Sequence, residues 1–485
     1  MRPIRSSLLP VVLSALAAGC GGNSAPKSSC DPNATGSCSS GLVCEQVAGG
    51  QPTCFAPLEV AGRVFDLGNS NAATNGILSA RVVALDANRA PASKVAVSGT
   101  NGAYQIQLPW QRNADGSPVA GSITLRADAS GFQTFPSGLR LALPINVTSA
   151  VKGATAWTLQ SVQTDVGLIK LPSTVNLASI HGTVADPPGG VGVLVVASPA
   201  GSTQAGTGFT GIADADGTYA IFNLPAAATP GTNYDVQAYA AGANYDPGAA
   251  TLLPGDDKAV NLTLKNTATA TVTGMVDITG QNLPATPVTS VILVVKSTFD
   301  PNLARGEAPP GLRVGGVTGA YSIPGIPDGT YVVLAAFEND GMVRDISGIG
   351  GTATVEAVVS GGAVTSCSNS CQFKITGAVT LDTPFVAPYD TTPWPATSAT
   401  PAFSWLAYPS VDTYVVSVID AFGNQALAPT TVSKLSTSFT YPSTGAATLV
   451  PGMYYQLRVQ VTQLGVTGPA SQSEDLKGVF YVPLP

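Results

Sequence analysis

The chain has 485 residues, of which 53 are glycine and 38 are proline, and only 11% are charged. Acidic residues outnumber basic ones by 29 to 22, and no basic stripe of the kind that neutralises phosphates occurs, which excludes nucleic acid as a partner. The rest is dominated by Ala, Val, Ser and Thr, a composition that favours short strands joined by turns over helices, and the length allows about three to five domains.

The first twenty residues have the layout of an export signal. Arg2 and Arg5 form a positive segment, residues 8–18 are apolar, and small residues stand directly before Cys20. This layout resembles the bacterial lipoprotein signal, although Ala17 stands where that family most often has Leu. The resemblance implies removal of residues 1–19, a diacylglycerol on the Cys20 sulfur and a short tether over 20–29, with a plain secretory signal as the alternative. No later stretch approaches the roughly 20 apolar residues that span a bilayer, so the lipid would be the only membrane attachment.

Residues 30–56 form a cysteine-rich module. Cys30, Cys38, Cys44 and Cys54 are separated by seven, five and nine residues, with few apolar residues between them, so such a segment needs covalent staples. We predict two disulfides here, in any of three pairings, because zinc sites usually carry pairs only two to four residues apart. A third disulfide would join Cys367 and Cys371 across a small loop. The even number of these cysteines indicates an oxidising compartment.

From residue 57 onward, one order of motifs occurs three times. Each copy has apolar-Gly-x-Val, then Gly-x-Tyr-x-Ile, then an apolar-Pro pair, then another strand. The first glycines are Gly62, Gly182 and Gly274, the second are Gly102, Gly217 and Gly319, and the prolines are Pro109, Pro225 and Pro327. We expect the second glycine to take the positive φ of a tight hairpin, and the following Tyr and Ile to face the core. Proline then ends the strand because it cannot donate to the ladder.

This order of motifs resembles the carboxypeptidase regulatory-like domain, a transthyretin-like β-sandwich, and the repeats that form stalks in collagen-adhesin-like surface proteins. The resemblance implies three sandwiches, over residues 57–175, 176–266 and 267–380. Three copies in one order are stronger evidence than any single motif.

The last segment, residues 381–485, follows a different pattern. Phe403-Ser404-Trp405 precedes a strand at 414–418, and Leu449-Val450-Pro451-Gly452 leads into Tyr454-Tyr455. This pattern resembles a fibronectin type III domain. The resemblance implies that Trp405 packs between the sheets and that Tyr455 forms the tyrosine corner.

The residues offer little for catalysis. The single histidine, His181, has no acid or nucleophile nearby in its motif, and zinc-peptidase motifs need two histidines. Asp214-x-Asp216-Gly217 is similar to the start of a calcium loop, but the later ligands are missing, and turn formation explains these residues better. Lys296, after a long apolar run, is a candidate for an isopeptide crosslink or for a strand-end lysine reaching solvent. We predict no enzyme, no catalytic residue, no metal and no cofactor.

Four aromatic residues are candidates for binding sugars. Trp110, Tyr239, Tyr245 and Trp394 lie near loops or prolines, and sugar sites use exposed aromatic faces. Each also has a packing explanation: Trp110 could cap its sandwich, Tyr239 and Tyr245 could contact the next domain, and Trp394 could wedge a domain junction.

The sequence therefore predicts an all-β protein: tandem Ig-like or transthyretin-like β-sandwiches in an elongated array, with a small N-terminal disulfide-rich module. The predicted function is a non-catalytic, lipid-anchored lipoprotein of the outer membrane or cell surface that acts as a binding, adhesion or display scaffold. Its partner would be a protein, the matrix or a cell-envelope component, polysaccharide included. A carbohydrate-binding lipoprotein is the alternative.

Overall fold

The structure is a computed structural model that describes residues 29–32, 34, 36–185, 192–336, 340–344, 355–385, 387, 392–465 and 468–485. Residues 1–19 and Cys20, the predicted export signal and lipid site, lie outside the described residues. The described chain is built from strands with short 3-10 turns at Val147–Ser149, Lys296–Thr298 and Ser368–Cys371, which confirms the all-β class. No helix within the described segments is long and apolar enough to cross a membrane.

The N-terminal module is one hairpin fastened by two disulfides. Strands β1 (Val43–Glu45) and β2 (Thr53–Phe55) pair antiparallel, and the bonds join Cys30 to Cys44 and Cys38 to Cys54. This pairing selects one of the three possibilities. A third disulfide joins Cys367 to Cys371, as predicted.

The module docks on the next sandwich through a buried ion pair that the sequence did not indicate. The Arg112 guanidinium is fully buried and bonds the Glu45 carboxylate. Burial raises the pKa of Glu45, and Arg112 opposes that rise by favouring the charged form. The two disulfides fasten the module internally, and this ion pair joins it to the first sandwich.

The first sandwich has two sheets. One has the order β11-β3-β10-β9 with β6 on β3, and the other has the order β5-β4-β7-β8. Its strands are β3 (Leu58–Asp66), β4 (Arg81–Leu85), β5 (Ala96–Val97), β6 (Ala103–Gln107), β7 (Ser122–Asp128), β8 (Ile145–Asn146), β9 (Val151–Lys152), β10 (Trp157–Leu159) and β11 (Val166–Leu168).

The second sandwich has a sheet β15-β12-β19 facing a sheet β14-β13-β16-β17-β20, with β18 on β16. Its strands are β12 (Leu177–Thr183), β13 (Val193–Pro199), β14 (Phe209–Ala213), β15 (Thr218–Pro225), β16 (Thr232–Ala240), β17 (Ala243–Tyr245), β18 (Gly248–Leu252), β19 (Asp257–Ala259) and β20 (Leu264–Thr267).

The third sandwich repeats this plan with sheets β24-β21-β29-β26 and β23-β22-β25-β27-β28. Its strands are β21 (Ala270–Ile278), β22 (Thr289–Val295), β23 (Arg313–Val317), β24 (Ala320–Ile326), β25 (Gly329–Ala335), β26 (Met342–Arg344), β27 (Val355–Ser360), β28 (Ala363–Cys367) and β29 (Phe373–Gly377).

The fourth sandwich pairs a sheet β30-β32-β35 with a sheet β31-β38-β36-β33-β34, where β37 adds to β36. Its strands are β30 (Leu381–Thr383), β31 (Trp394–Pro395), β32 (Ala402–Trp405), β33 (Thr413–Asp420), β34 (Gln425–Ser433), β35 (Ser438–Thr440), β36 (Tyr454–Thr462), β37 (Ser471–Gln472) and β38 (Val479–Tyr481). Trp405 and Tyr455 are both buried in its core, and the Tyr455 hydroxyl accepts a hydrogen bond from Val450 N–H at 2.8 Å.

The repeated motifs share one packing device in the first three sandwiches. The motif tyrosine is buried and donates its hydroxyl hydrogen to a backbone carbonyl: Tyr104 to Thr164, Tyr219 to Val260 and Tyr321 to Cys371, at 2.6, 2.6 and 2.7 Å. The glycine of Gly-x-Val faces the same carbonyl, and a Cβ on Gly62, Gly182 or Gly274 would lie under 3.0 Å from it. Only glycine lets the two backbones approach this closely while the tyrosine satisfies the buried oxygen.

The expected hairpin glycine is confirmed in two copies and wrong in the third. Gly102 and Gly217 have φ of +79°, but Gly319 does not take the left-handed conformation. In the third sandwich the left-handed residue is Gly316, at φ +67°, where the register of β22 and β23 shifts. This register shift is a β-bulge inside β23, and Thr318 and Gly319 still connect β23 to β24.

The sandwiches do not form an end-to-end array, which corrects the expected elongated arrangement. The first sandwich contacts the fourth, where Gln133 donates to the Ala421 carbonyl at 2.8 Å and the Arg140 guanidinium lies 4.8 Å from the Tyr454 ring centre. A small apolar cluster joins the first, third and fourth sandwiches through Leu139, Leu303 and Ile419. Each of these side chains is more than 100 residues from the next, so no local pattern could have predicted their contact.

Candidate functional site

Two of the four predicted sugar-contact residues are buried, which corrects their assignment as exposed. Tyr239 and Tyr245 are 6% and 4% exposed. Tyr239 meets Tyr331 of the third sandwich edge to face, with 6.0 Å between ring centres, and burial raises the pKa of its hydroxyl. Tyr245 belongs to the core of the second sandwich. Neither ring is exposed on the surface, although Tyr239 lines a small cavity between the second and third sandwiches.

Trp110 and Trp394 are half-buried and pack against cores. Trp110 lies against the first core and donates its indole N–H to the Val119 carbonyl at 2.8 Å. Trp394 lies in β31 opposite Phe480, against the core of the fourth sandwich. Both positions suit the packing roles that the sequence allowed.

His181 has an acidic neighbour that its sequence motif does not contain. Its Nδ1 lies 2.9 Å from Asp257 Oδ1, and the Ser179 hydroxyl donates to the same oxygen at 2.7 Å. The parallel pairing of β12 with β19 brings these three residues together. The Ser179 hydroxyl and the His181 ring both bond Asp257, and the serine donates its hydrogen to the aspartate and not to the histidine. His181 is therefore not placed to act as a base for Ser179.

The Asp214 carboxylate accepts hydrogen bonds from three backbone N–H groups. Asp214 is 7% exposed, and these groups belong to Asp216 and Thr218, at 3.0 Å, and to Val95, at 3.1 Å. Asp216 itself pairs with Lys94. The bonds to Asp216 and Thr218 N–H form a local Asx turn. The contacts with Val95 and Lys94 link this turn to the first sandwich.

Lys296 pairs with a carboxylate. Its Nζ lies 2.7 Å from Glu356 Oε2 across β22, β25 and β27, and the lysine side chain is 24% exposed. The described structure places Lys296 in an ion pair between strands of one sheet, and both explanations that the sequence offered for it stay predictions.

Arg126 lies at the junction of three sandwiches. It is 2% exposed on β7 and bonds both Asp128 oxygens at 3.0 and 3.1 Å. It also donates to Thr210 of the second sandwich at 3.1 and 3.2 Å and lies 3.7 Å from Glu307 of the third. Burial alone would lower the pKa of Arg126, but Asp128 and Glu307 together raise it. Through this network, one buried side chain contacts three sandwiches and helps to fix their positions relative to one another.

A second buried network lies between the third and fourth sandwiches. The polar run at residues 471–477 is buried throughout, and Asp475 has three arginines around it. Its carboxylate oxygens lie 3.5 Å from Arg458, 3.9 Å from Arg344 and 4.0 Å from Arg305. Burial lowers the pKa of Arg305 to about 10, while Asp475 opposes that change.

Glu474, in the same run, makes the stability of this interface dependent on pH. Its carboxylate accepts Gly341 N–H at 2.6 Å, and burial raises its pKa from 4.5 to about 7. The folded state therefore binds one more proton than the unfolded state between about pH 4.5 and 7, so the stability from this group is present below pH 4.5 and is lost as the pH rises through 7. We expect Glu474→Gln to remove a slope of up to about 1.4 kcal/mol per pH unit and to stabilise the protein at pH 8.

Urea unfolding at several pH values between 5 and 8 measures this slope. Glu356→Gln makes the same chemical change at a more exposed carboxylate, beside Lys296, and should keep the wild-type slope. If the Glu474→Gln and wild-type slopes coincide, Glu474 is not the titrating group.

All four sandwiches line an open cavity of about 420 Å³. Its wall includes Gln133 and Ser137 from the first sandwich, Phe209 from the second, Glu307 from the third and Phe422 from the fourth. A smaller cavity of about 210 Å³ lies between the second and third sandwiches. The larger cavity depends on the contacts around Arg126, since all four sandwiches contribute to it.

No sequence motif pointed to Arg126, to the 471–477 run or to the cavity. Arg126 alternates with Ile123, Leu125 and Ala127, so it falls on the face of β7 that a single sandwich would leave in water. Residues 471–477 are mostly polar but contain no glycine or proline. This composition was a sign that the segment is not an ordinary surface turn.

No known protein family matches the chain, and no curated protein matches it. Solved structures that align with it include the shaft pilin spaA of Lactobacillus rhamnosus GG, 8% identical, over 43% of this chain and 97% of that chain, with a TM-score of 0.17. A streptococcal ancillary pilin is 12% identical over 66% of this chain and 98% of that chain, at 0.17. A tetra-tandem repeat from the extending region of a large adhesion protein is 15% identical over 86% of this chain and 98% of that chain, at 0.12. At these values the similarities carry no inference about this chain's activity or partners.

Proposed function

We propose that the chain is a non-catalytic scaffold of the cell envelope, anchored through a lipid on Cys20, that presents a rigid multi-sandwich surface to a protein, matrix or envelope partner. The observation that carries this proposal is the network around Arg126, which links three sandwiches through one buried guanidinium. A partner that binds such a surface does not have to pay for ordering flexible domains first, because the sandwiches are already fixed relative to one another.

Two features of the described residues support a non-catalytic role outside the cytoplasm. The polar and aromatic side chains singled out by the sequence are used for packing and for turns, and His181 is not placed to activate Ser179. The six cysteines of the described segments form three disulfides, which persist in oxidising compartments.

The anchor is tested by the Cys20→Ala variant. We expect the wild-type chain to partition into the membrane fraction with a mass increase for lipid, since more than one long chain gives stable anchoring. The variant should lose the lipid mass and leave the membrane fraction, and cells that carry it should lose the chain from their surface. If Cys20→Ala is processed and localised as the wild type is, the segment is a plain secretory signal and the lipid anchor is wrong.

The scaffold role is tested with the full-length chain immobilised on beads and exposed to envelope extract and to matrix proteins. We expect selective retention of a partner by the wild-type chain and reduced retention by Arg126→Met, because that variant loosens the sandwiches without changing their outer faces. Equal retention by both proteins would contradict a role for the rigid arrangement. Turnover of any added compound by the purified chain would contradict the non-catalytic assignment.

A further inference from the structure

The cavity at the meeting point of the four sandwiches has the size of a ligand site. Its volume of about 420 Å³ falls within the roughly 300–1,000 Å³ that small-molecule sites occupy. It lies at an interface between domains, where such sites are frequent. It also lies apart from the four aromatic residues that the sequence nominated for sugar contact.

One part of its wall is apolar and almost fully buried. Ile292, Val294 and Leu334 project from the outer face of the third sandwich, beside β14 of the second. Phe209 and Phe422 approach from the second and fourth sandwiches, and both rings are half-buried. Aromatic rings in this position suit the C–H faces of a ring-shaped ligand.

Three of the four charged groups in the wall have partners in the protein. Glu307 lies 3.7 Å from Arg126, and Asp300 Oδ1 accepts N–H groups from Asn302 at 2.8 Å and Leu303 at 3.3 Å. Arg305 lies 4.0 Å from Asp475. Arg89 is exposed at the open side, where solvent screens its charge. The wall therefore carries two basic side chains, Arg89 and Arg305, and two acidic ones, Asp300 and Glu307, so its formal charges sum to zero and it favours neither an anionic nor a cationic ligand.

Hydrogen-bonding capacity nevertheless remains in the wall. A carboxylate oxygen has about two acceptor positions, so Glu307 and Asp300 can accept further hydrogens after these contacts. Ser137, whose backbone closes a short turn with Arg140, adds a hydroxyl. Hydroxyl groups on a ligand both donate and accept, and so they match a wall that carries acceptors and donors but no net charge to neutralise.

We propose that this cavity binds a neutral, polyhydroxylated ring compound, the size of a mono- or disaccharide. The apolar wall and the rings of Phe209 and Phe422 contact its C–H faces, and the remaining acceptors of Glu307 and Asp300 bond its hydroxyl groups. This site does not depend on the lipid anchor, and a chain with Cys20→Ala should bind the same ligand.

Isothermal titration calorimetry on the full mature chain tests the proposal. The probes are maltose, cellobiose and N,N′-diacetylchitobiose at millimolar concentrations, with glucuronic acid and glucosamine as charged comparisons. We expect at least one neutral disaccharide to bind, and the charged sugars to bind more weakly or not at all. No binding of any neutral probe, or binding of charged sugars only, would overturn the proposal.

Two variants, each with a control variant, locate the binding. Phe422→Ala removes a ring from a turn whose shape Asp420 holds through its own hydrogen bonds, and it should weaken binding about tenfold or more. Phe385→Ala makes the same change at a ring that is 68% exposed and does not line the cavity, and it should bind as the wild type does. Ser137→Trp fills the cavity and should abolish binding, while Ser137→Ala should retain most of it.

Thermal unfolding of each variant separates lost binding from lost folding. Binding that survives both Phe422→Ala and Ser137→Trp in folded proteins would place the sugar elsewhere and would overturn the assignment to this cavity.

Discussion

Replacing Arg126 with Met is expected to lower the free energy of unfolding of the sandwich assembly by about 3–5 kcal/mol. The substitution keeps an apolar stem but removes the guanidinium that bonds Asp128 at 3.0 and 3.1 Å. Asp128 then remains buried, with the Thr134 hydroxyl at 2.8 Å as its remaining side-chain contact, and the Thr210 carbonyl loses its donor. A buried carboxylate without its cation costs more than the ion pair itself contributed.

The loss should appear between sandwiches more than within them. Because Arg126 contacts the second and third sandwiches, we expect calorimetry to show the first sandwich unfolding at a lower temperature than its neighbours in the variant. Small-angle scattering should show a larger radius of gyration at temperatures where the wild type is still compact. Retention of the wild-type transition and radius would mean that Arg126 does not hold the sandwiches together.

Lys94→Ala is the matched control for this experiment. Lys94 also bridges the first and second sandwiches, through Asp216 at 2.9 Å, but both side chains are more than half exposed. Exposed ion pairs contribute little because water screens them and the long side chains lose entropy. We expect no measurable change in unfolding for this variant.

Replacing Gly182 with Ala is expected to destabilise the second sandwich by about 3 kcal/mol or more. The added Cβ would lie under 3.0 Å from the Val260 carbonyl oxygen, which is backbone and cannot rotate away. The same oxygen accepts the Tyr219 hydroxyl at 2.6 Å, so moving it also breaks a buried hydrogen bond. The parallel pairing of β12 with β19 must open to admit one methyl group.

Urea unfolding monitored by tyrosine fluorescence and circular dichroism measures this effect. Gly319→Ala is the control, because a Cβ there meets no atom closer than 3.8 Å and the backbone is not left-handed. That variant should change stability by less than about 1 kcal/mol. Equal midpoints for the two variants would contradict the close approach at Gly182.

The two largest expected losses of stability, for Arg126→Met and Gly182→Ala, come from two different kinds of contact. Gly182 and its equivalents close each sandwich separately, through a local crossing of two strands. Arg126 joins sandwiches that could each fold without it. A rigid surface, and a cavity with four walls, require the second kind of contact in addition to the first.

The all-β class, the disulfide-fastened module and the three motif copies were predictable from sequence because each rests on neighbouring residues. Tyr219 and Ile221 are two positions apart, so strand alternation alone places both in the core. Leu224-Pro225 ends its strand because proline has no N–H to donate, wherever the strand lies in the protein. The cysteine spacing likewise indicated disulfides, although only the structure selected Cys30 with Cys44 and Cys38 with Cys54.

The arrangement of the sandwiches was decided by tertiary structure alone. The face of β7 that carries Arg126 has the alternation of a solvent-facing strand surface, and the second sandwich covers it. Tyr239 stands on the equivalent outer face in the second sandwich and is covered by the third, so a residue that resembled a ligand contact became core. Strand periodicity specifies which residues share a face of a sheet, but what packs on the outer face depends on residues far away in the chain. For that reason the sequence predicted separate sandwiches in a row, and only the folded chain showed the junction that they share.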